Sequence, residues 1–286
     1  MEKIDRVAII GVGLIGGSLG LALKKAGFAS EIIGIGRNRE SLEKACELGA
    51  VDWVTTDTSA GVKHVDIVVV ATPISVIFEI IPKISPLLPS RCIVTDVGST
   101  KQKIVEEMDL LPINFVGGHP ISGSEKRGID AAREDLFLDA TVVLTPTRKT
   151  DRHALQVIIS LWENIGSHVL EMDPKEHDLL LAITSHLPHI AASSLVEIVS
   201  TCKHKDVPLL LGKGFKDTTR IAESDPILWR DICLSNKEVI VKVLSKYREI
   251  IANFEQLIAR GDKEQLTEGF SRAKKWREKI DEIFIS

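Results

Sequence analysis

Residues 7–23, VAIIGVGLIGGSLGLAL, pass from an apolar strand through a glycine-rich turn into a helix, and no other stretch constrains the fold as strongly. Gly11, Gly13 and Gly16 stand in G-x-G-x-x-G spacing. In that spacing the first glycine permits a tight turn, the second lets backbone approach a pyrophosphate, and the third packs helix on strand. The helix start offers unpaired N–H groups and the positive end of its dipole, which suit an anion without any basic side chain. Gly11, Gly13, Leu14, Ile15 and Gly16 are therefore read as a dinucleotide-binding turn. A close-packed turn without a ligand is the alternative for such a motif in isolation; the flanking strand and helix are the context the binding reading requires.

Strand and helix patterns alternate beyond this turn. Strands are expected at 31–36, 66–72, 91–97, 114–118, 141–145 and 168–171, with helices at 15–26, 41–48 and 151–165. The run DIVVVAT is apolar almost throughout, as in a parallel sheet covered on both faces. The fold class is α/β: an N-terminal doubly wound, Rossmann-type parallel sheet over 1–171, followed by an all-helical C-terminal dimerisation domain over 172–286. The boundary is drawn at Asp173-Pro174-Lys175-Glu176, with an N-cap Asp, Pro in the first turn and Glu three residues after the cap. Beyond it we expect one long helical segment to about Cys202, a glycine-broken loop over 212–215, and a single very long apolar-periodic helix over 226–258.

Composition narrows the partners. Thirty-six Lys and Arg against 40 Asp and Glu give a net charge of −4, with no basic run, so no nucleic acid is expected. Cys46, Cys92, Cys202 and Cys233 form no CxxC pair and fit reduced thiols in the cytoplasm better than disulfides or a zinc site. No signal-type segment opens the sequence, and no run of about 18 apolar residues is expected to engage a membrane. His186 and His189, three apart, share a helix face but lack a third ligand at recognisable spacing, so no metal is expected.

The second strand bears on the dinucleotide. An acidic residue about 20 positions after the glycines ordinarily binds the ribose 2′-hydroxyl of NAD. Residues 32–39 contain neither Asp nor Glu and end in Gly36-Arg37-Asn38-Arg39. Guanidinium groups there suit a 2′-phosphate, so Arg37 favours NADP, with NAD or dual use open if Arg37 only stacks on the adenine.

Ligands of open α/β sheets bind beyond the carboxyl ends of the strands. Thr72-Pro73, Val97-Gly98-Ser99-Thr100-Lys101 and GGHPISGSEK (117–126) follow three such strands, and SHLPH (185–189) and FKDTTRIAESDP (215–226) come later. This ordered set resembles the prephenate/arogenate dehydrogenase family of tyrosine biosynthesis over roughly residues 7–229. The resemblance implies oxidative decarboxylation of prephenate to 4-hydroxyphenylpyruvate, with hydride passing to a nicotinamide.

Within that resemblance the residue types suit the chemistry. A neutral histidine, His119, can accept the substrate hydroxyl proton, and Ser99 can orient the same hydroxyl. Arg220 is implied as the main carboxylate anchor, with His189 and Lys216 as further donors. Ser124 is placed with the substrate, Glu125 is implied as a gating or ionic-network residue, and Trp229 is implied to reach the neighbouring subunit's site. Thr72 and Pro73 join the cofactor set. His186, at the second position of SHLPH, resembles the prephenate-type pattern; arogenate dehydrogenase remains the alternative. A homodimer through the C-terminal helices is expected. A dehydrogenase of other small hydroxy acids, or a dinucleotide-sensing protein without turnover, would share the glycine turn but not the later motifs.

Overall fold

The computed structural model describes residues 4–122 and 126–285. Eight strands form one sheet: β1 (Ile4–Ile10), β2 (Ala29–Ile35), β3 (Trp53–Thr55), β4 (Ile67–Val70), β5 (Ile93–Asp96), β6 (Asn114–Pro120), β7 (Thr141–Thr145) and β8 (His168–Glu171). Their order is β3-β2-β1-β4-β5-β6-β7-β8, so the chain leaves β1 in both directions. Pairing is parallel except between β6 and β7, where His119 lies opposite Val143. The described part of the β6–β7 connection contains a single 3-10 turn, Ile129–Ala131, in place of a crossover helix. Parallel neighbours need such a crossover, and without one the strand direction reverses.

The period of two along β4 shows how the sheet is covered. Ile67 and Val69 belong to one apolar cluster with Leu19, Leu23, Leu161 and Trp162. Val68 and Val70 belong to another with Ile77, Ile81, Ile104 and Met108. The helices Leu14–Ala26 and Arg152–Asn164 therefore pack one face, and Ile74–Ile84 and Gln102–Met108 the other. All four β4 residues are buried; at about 1.5–3 kcal/mol per fully buried aliphatic side chain, such strands supply much of the apolar driving force.

The C-terminal expectations need three corrections. The 212–215 segment is not a loop: Gly212 is the N-cap of the helix Lys213–Thr219, and Gly214 falls in its first turn. Glycine is tolerated at an N-cap, and the sequence reading treated it only as a breaker. The long 226–258 helix is two helices, Pro226–Ser235 and Lys237–Arg260, separated by Asn236. Asn236 leaves helical geometry (φ −106°, ψ 33°) while its side-chain amide donates to Asp178 O at 2.8 Å, and that bond outweighs the periodicity. Thirdly, the continuous helical stretch Pro174–Thr201 is long and apolar enough, by length and composition, to cross a membrane. The expectation missed it because scattered Ser, Thr and His interrupt the apolar run without making it strongly polar.

That stretch is not uniformly α-helical. Pro174–Leu181 and Leu187–Thr201 flank a π-turn at Ala182–His186, where Leu187 N–H reaches Ala182 O. Pro188 explains it: proline has no N–H for the carbonyl of Thr184 and its ring crowds that carbonyl, so the preceding turn widens. The chain divides into two compact units, one ending at Lys237 and the other beginning at Glu238. The helices from Pro174 to Ser235 thus belong to the unit containing the sheet, although strands stop at Glu171. The helices Lys237–Arg260, all but its first residue in the second unit, and Lys263–Ile285 are linked by Gly261, and Phe254 meets Phe270 with ring centroids 5.2 Å apart.

Candidate active site

The glycine turn lies at the carboxyl end of β1. Gly11 has φ +97° and its N–H bonds Ile35 O at 2.8 Å, so the turn is tied to β2. A Cβ at Gly16 would run into the carbonyl oxygen of Gly11, whereas one at Gly13 would meet nothing within 4 Å. The first constraint is packing; the second leaves open space beside the backbone, where a pyrophosphate can approach. The helix Leu14–Ala26 has no side-chain cap and no acidic residue in its first turn, so its first N–H groups remain available to an anion. Thr72 Oγ1, beyond β4, is buried with no hydrogen-bond partner among the described residues. These features fit a dinucleotide.

Gly13, Leu14, Ile15, Thr72 and Pro73 line a cavity of about 590 Å³ that is also lined by Ser99, His119, His186, Arg220 and Trp229. The structure thus brings most of the expected cofactor and substrate residues to one space. Lys216 is exposed one turn before Arg220 and outside the lining. Arg37 is exposed after β2, and its neighbour Arg39 is paired with Glu43 at 2.8 Å. Ser124 and Glu125 lie outside the described residues.

His119 is a strand residue, three positions beyond Val116, the last residue of β6 paired with β5. Its placement depends on Asp96, at the carboxyl end of β5. Asp96 accepts from Gly98 N at 2.8 Å and from Gly118 N at 3.2 Å, so one carboxylate anchors the residues that precede Ser99 and His119. Lys101, fully buried, donates to Asp96 and, at 2.7 Å, to Gly118 O. An unpaired charge in such a place would cost several kcal/mol, so the pair and its backbone partners stand together.

His119 Nδ1 is 2.8 Å from His177 Nε2, and His177 Nδ1 is 2.8 Å from Asp178 Oδ1. Asp178 also accepts from Lys101 N at 2.7 Å and Gln102 N at 3.1 Å, which caps the helix Gln102–Met108 from a distant segment. Burial, with His177, Lys101 and His186 nearby, holds the His119 imidazole well below the usual histidine range. It is neutral at physiological pH and available as a proton acceptor.

Burial likewise pushes His186 down to about 4 and lowers His189. His186 Nδ1 is 3.4 Å from the Asn236 amide, and Trp229 stands edge-on to His186 and flat against His189. Trp229 therefore contacts the histidines of its own chain. The sequence reading missed His177, Asp178, Lys101, Asp96 and Asn236 as site residues. Lys101 and Asp96 flank the Ser99 segment, and two ionisable residues in an otherwise apolar strand-to-turn context are the signal that could have found them.

Residues 19–171 match the family model described as prephenate dehydrogenase, nucleotide-binding domain, and residues 173–272 match prephenate dehydrogenase, dimerization domain. A prephenate dehydrogenase of Bacillus subtilis (strain 168) is 39% identical over 283 residues, covering 96% of this chain and 76% of the relative. The crystal structure of prephenate dehydrogenase from A. aeolicus, in complex with hydroxyphenyl propionate and NAD+, has a TM-score of 0.91 at 38% identity, covering 97% of this chain and 98% of that one. A Synechocystis arogenate dehydrogenase structure has a TM-score of 0.83 at 33% identity, covering 96% and 99%.

Proposed function

The chain belongs to the prephenate dehydrogenase family, and on that premise we propose that it converts prephenate to 4-hydroxyphenylpyruvate and CO2, with NAD(P) as oxidant. The observation that carries this reading is His119, buried and neutral, on one cavity with Ser99, Arg220 and the glycine turn. When bound, the nicotinamide supplies the hydride acceptor.

The chain's own residues then have defined tasks. His119 takes the proton of the ring hydroxyl as hydride leaves the carbon that bears it, which favours the new C=O bond. Ser99 holds the same hydroxyl in line. Loss of the ring carboxylate as CO2 restores aromaticity, so the protein chiefly has to hold a dianion in one pose. Arg220 suits that task through two parallel N–H bonds to a carboxylate, and His189 adds a donor. His119 returns its proton to the phenolate oxygen. Prephenate dianion and oxidised cofactor thereby give hydroxyphenylpyruvate, CO2 and reduced cofactor with no net proton released.

NADP is the preferred cofactor in this reading, because residues 32–39 offer no carboxylate to a 2′-hydroxyl and Arg37 is exposed at the end of β2. Residues 1–171 serve as the dinucleotide-binding domain and 172–286 as the substrate and dimerisation domain of a homodimer. Arogenate is the second substrate reading, favoured by the likeness to the Synechocystis enzyme. Arogenate carries an ammonium where prephenate has a keto oxygen, and the neutral imidazoles of His186 and His189 provide N–H donors rather than a carboxylate, which suits the keto group.

The test is reduced-nicotinamide absorbance on mixing purified protein with prephenate or arogenate and NADP or NAD, beside His119→Asn. Prephenate turnover, fastest with NADP and lost in the variant, is expected. Turnover of arogenate alone would reverse the substrate assignment, and turnover of neither would overturn the proposed function.

A further inference from the structure

His177 and Asp178 are both buried and neither lines the cavity, yet they continue an unbroken chain of hydrogen bonds from His119. We propose that this pair fixes the tautomer of His119, keeping the Nδ1 proton in the protein interior and the basic lone pair on Nε2. The inference rests on the reading of His119 as the acceptor of the substrate hydroxyl proton.

The assignment follows from counting donors. Asp178 Oδ1 accepts from Lys101 N and Oδ2 from Gln102 N. Backbone N–H groups only donate, so both oxygens act as acceptors. His177 Nδ1, 2.8 Å from Oδ1, must then carry the proton of that bond. With one proton on each ring, His177 Nε2 is bare and can only accept. His119 Nδ1, 2.8 Å away, is consequently the donor, and His119 Nε2 is left bare. The two rings meet edge-on, with centroids 5.1 Å apart and planes 67° apart. Such a bond orients His119 through a ring lone pair rather than by stacking.

The arrangement also suits what the reaction asks of the base. No net proton is released, so His119 must hold the hydroxyl proton through hydride loss and decarboxylation and then return it. In the protonated ring the Nδ1–H···Nε2 bond to His177 becomes charge-assisted, and the bond from His177 to the Asp178 carboxylate strengthens with it. The buried carboxylate thereby stabilises a transient imidazolium without admitting solvent. His177 and Asp178 act through His119 and are positioning residues.

The experiment compares wild type, His177→Gln and His177→Phe in steady-state turnover with prephenate, with cofactor affinity measured separately by fluorescence. His177→Phe removes the acceptor and is expected to lower kcat about 100-fold, with KM for prephenate and cofactor Kd changed less than threefold. His177→Gln can present its side-chain carbonyl oxygen where Nε2 stood, so it is expected to recover at least tenfold of that loss. Retention of kcat within threefold in His177→Phe, a loss carried by KM instead, or equal damage in both variants would overturn the proposal.

Long-range 1H–15N spectra of histidine-labelled wild type, assigned with His119→Asn, decide the matter even if a variant does not fold. Protonated Nδ1 and bare Nε2 on His119 are expected, and the reverse tautomer overturns the proposal. A wild-type protein that turns over no substrate would instead overturn the functional reading, with the tautomer still measured.

Discussion

Trp229 lies flat on His189, with ring centroids 3.5 Å apart and planes 8° apart. The two residues are 40 positions apart, on the helices Pro226–Ser235 and Leu187–Thr201. The stack holds the imidazole in one orientation while His189 Nδ1, buried, has no hydrogen-bond partner among the described residues. Aromatic ring contacts are worth about 0.5–1.5 kcal/mol. Trp229→Leu is expected to raise KM for prephenate about 3- to 10-fold, in line with that energy, with a smaller change in kcat. Steady-state kinetics at saturating cofactor separates the two.

The glycine turn makes a paired prediction. Gly13→Ala places its methyl group in open space, so stability is expected to remain near wild type while cofactor affinity falls about 10-fold or more, or roughly 1.4 kcal/mol. Gly16→Ala drives its methyl group into the Gly11 carbonyl, so the fold itself is expected to suffer by about 1–3 kcal/mol. Thermal unfolding and cofactor titration, run on both variants, distinguish the two effects.

Arg37→Ala tests the cofactor preference. If the guanidinium binds the 2′-phosphate, KM for NADP is expected to rise about 10- to 100-fold, as for a charge-assisted bond of 1.5–3 kcal/mol. KM for NAD should stay within twofold. Equal effects on both cofactors would show that Arg37 contacts a part common to both.

Acidification acts on activity and stability through depressed histidines. Because His119 titrates well below 6.5, the acid limb of kcat/KM is expected below pH 6.5 rather than at it. His186, held at about 4, is neutral in the folded protein across a range where the unfolded chain is protonated. Its contribution to stability is whole above the unfolded value of about 6.5 and is lost as pH falls toward 4, amounting to on the order of 3 kcal/mol. Tm measured between pH 7 and pH 5 should fall, and fall less steeply in His186→Gln.

Lys101→Met leaves the Asp96 carboxylate buried without its cation and removes the bond to Gly118 O. Breaking a buried pair from one side typically costs about 3–5 kcal/mol, and urea denaturation is expected to show a loss of that size. The variant should also lose activity beyond its fraction unfolded, because Asp96 sets the backbone before both Ser99 and His119.

Local rules made much of this protein legible in its amino-acid order. The glycine spacing after an apolar strand, the all-apolar β4, and Asp173-Pro174 at a helix start each depend on residues within a few positions of one another. So do the β1 and β2 strands and the flanking helices, whose observed ends differ from the expected ones by one or two residues. The strand β3 escaped because three residues, one of them a half-exposed tryptophan, carry no readable period. His119, Ser99 and Arg220 each stand in a distinctive motif, and all three line the same cavity.

Tertiary structure decided the rest, because those features depend on partners far apart in the chain. The reversed direction of β7 follows from a connection whose described residues build no crossover helix. Asn236 breaks an otherwise continuous apolar helix because its amide reaches the carbonyl of Asp178, 58 residues away. Asp178 in turn answers two N–H groups 76 and 77 residues earlier in the chain. Hydrophobic periodicity records which face of an element is buried and is silent on which donor will meet which acceptor. The motif therefore marked His119 as a candidate, and only the packing of Asp178 and His177 behind it decided which of its nitrogens faces the protein.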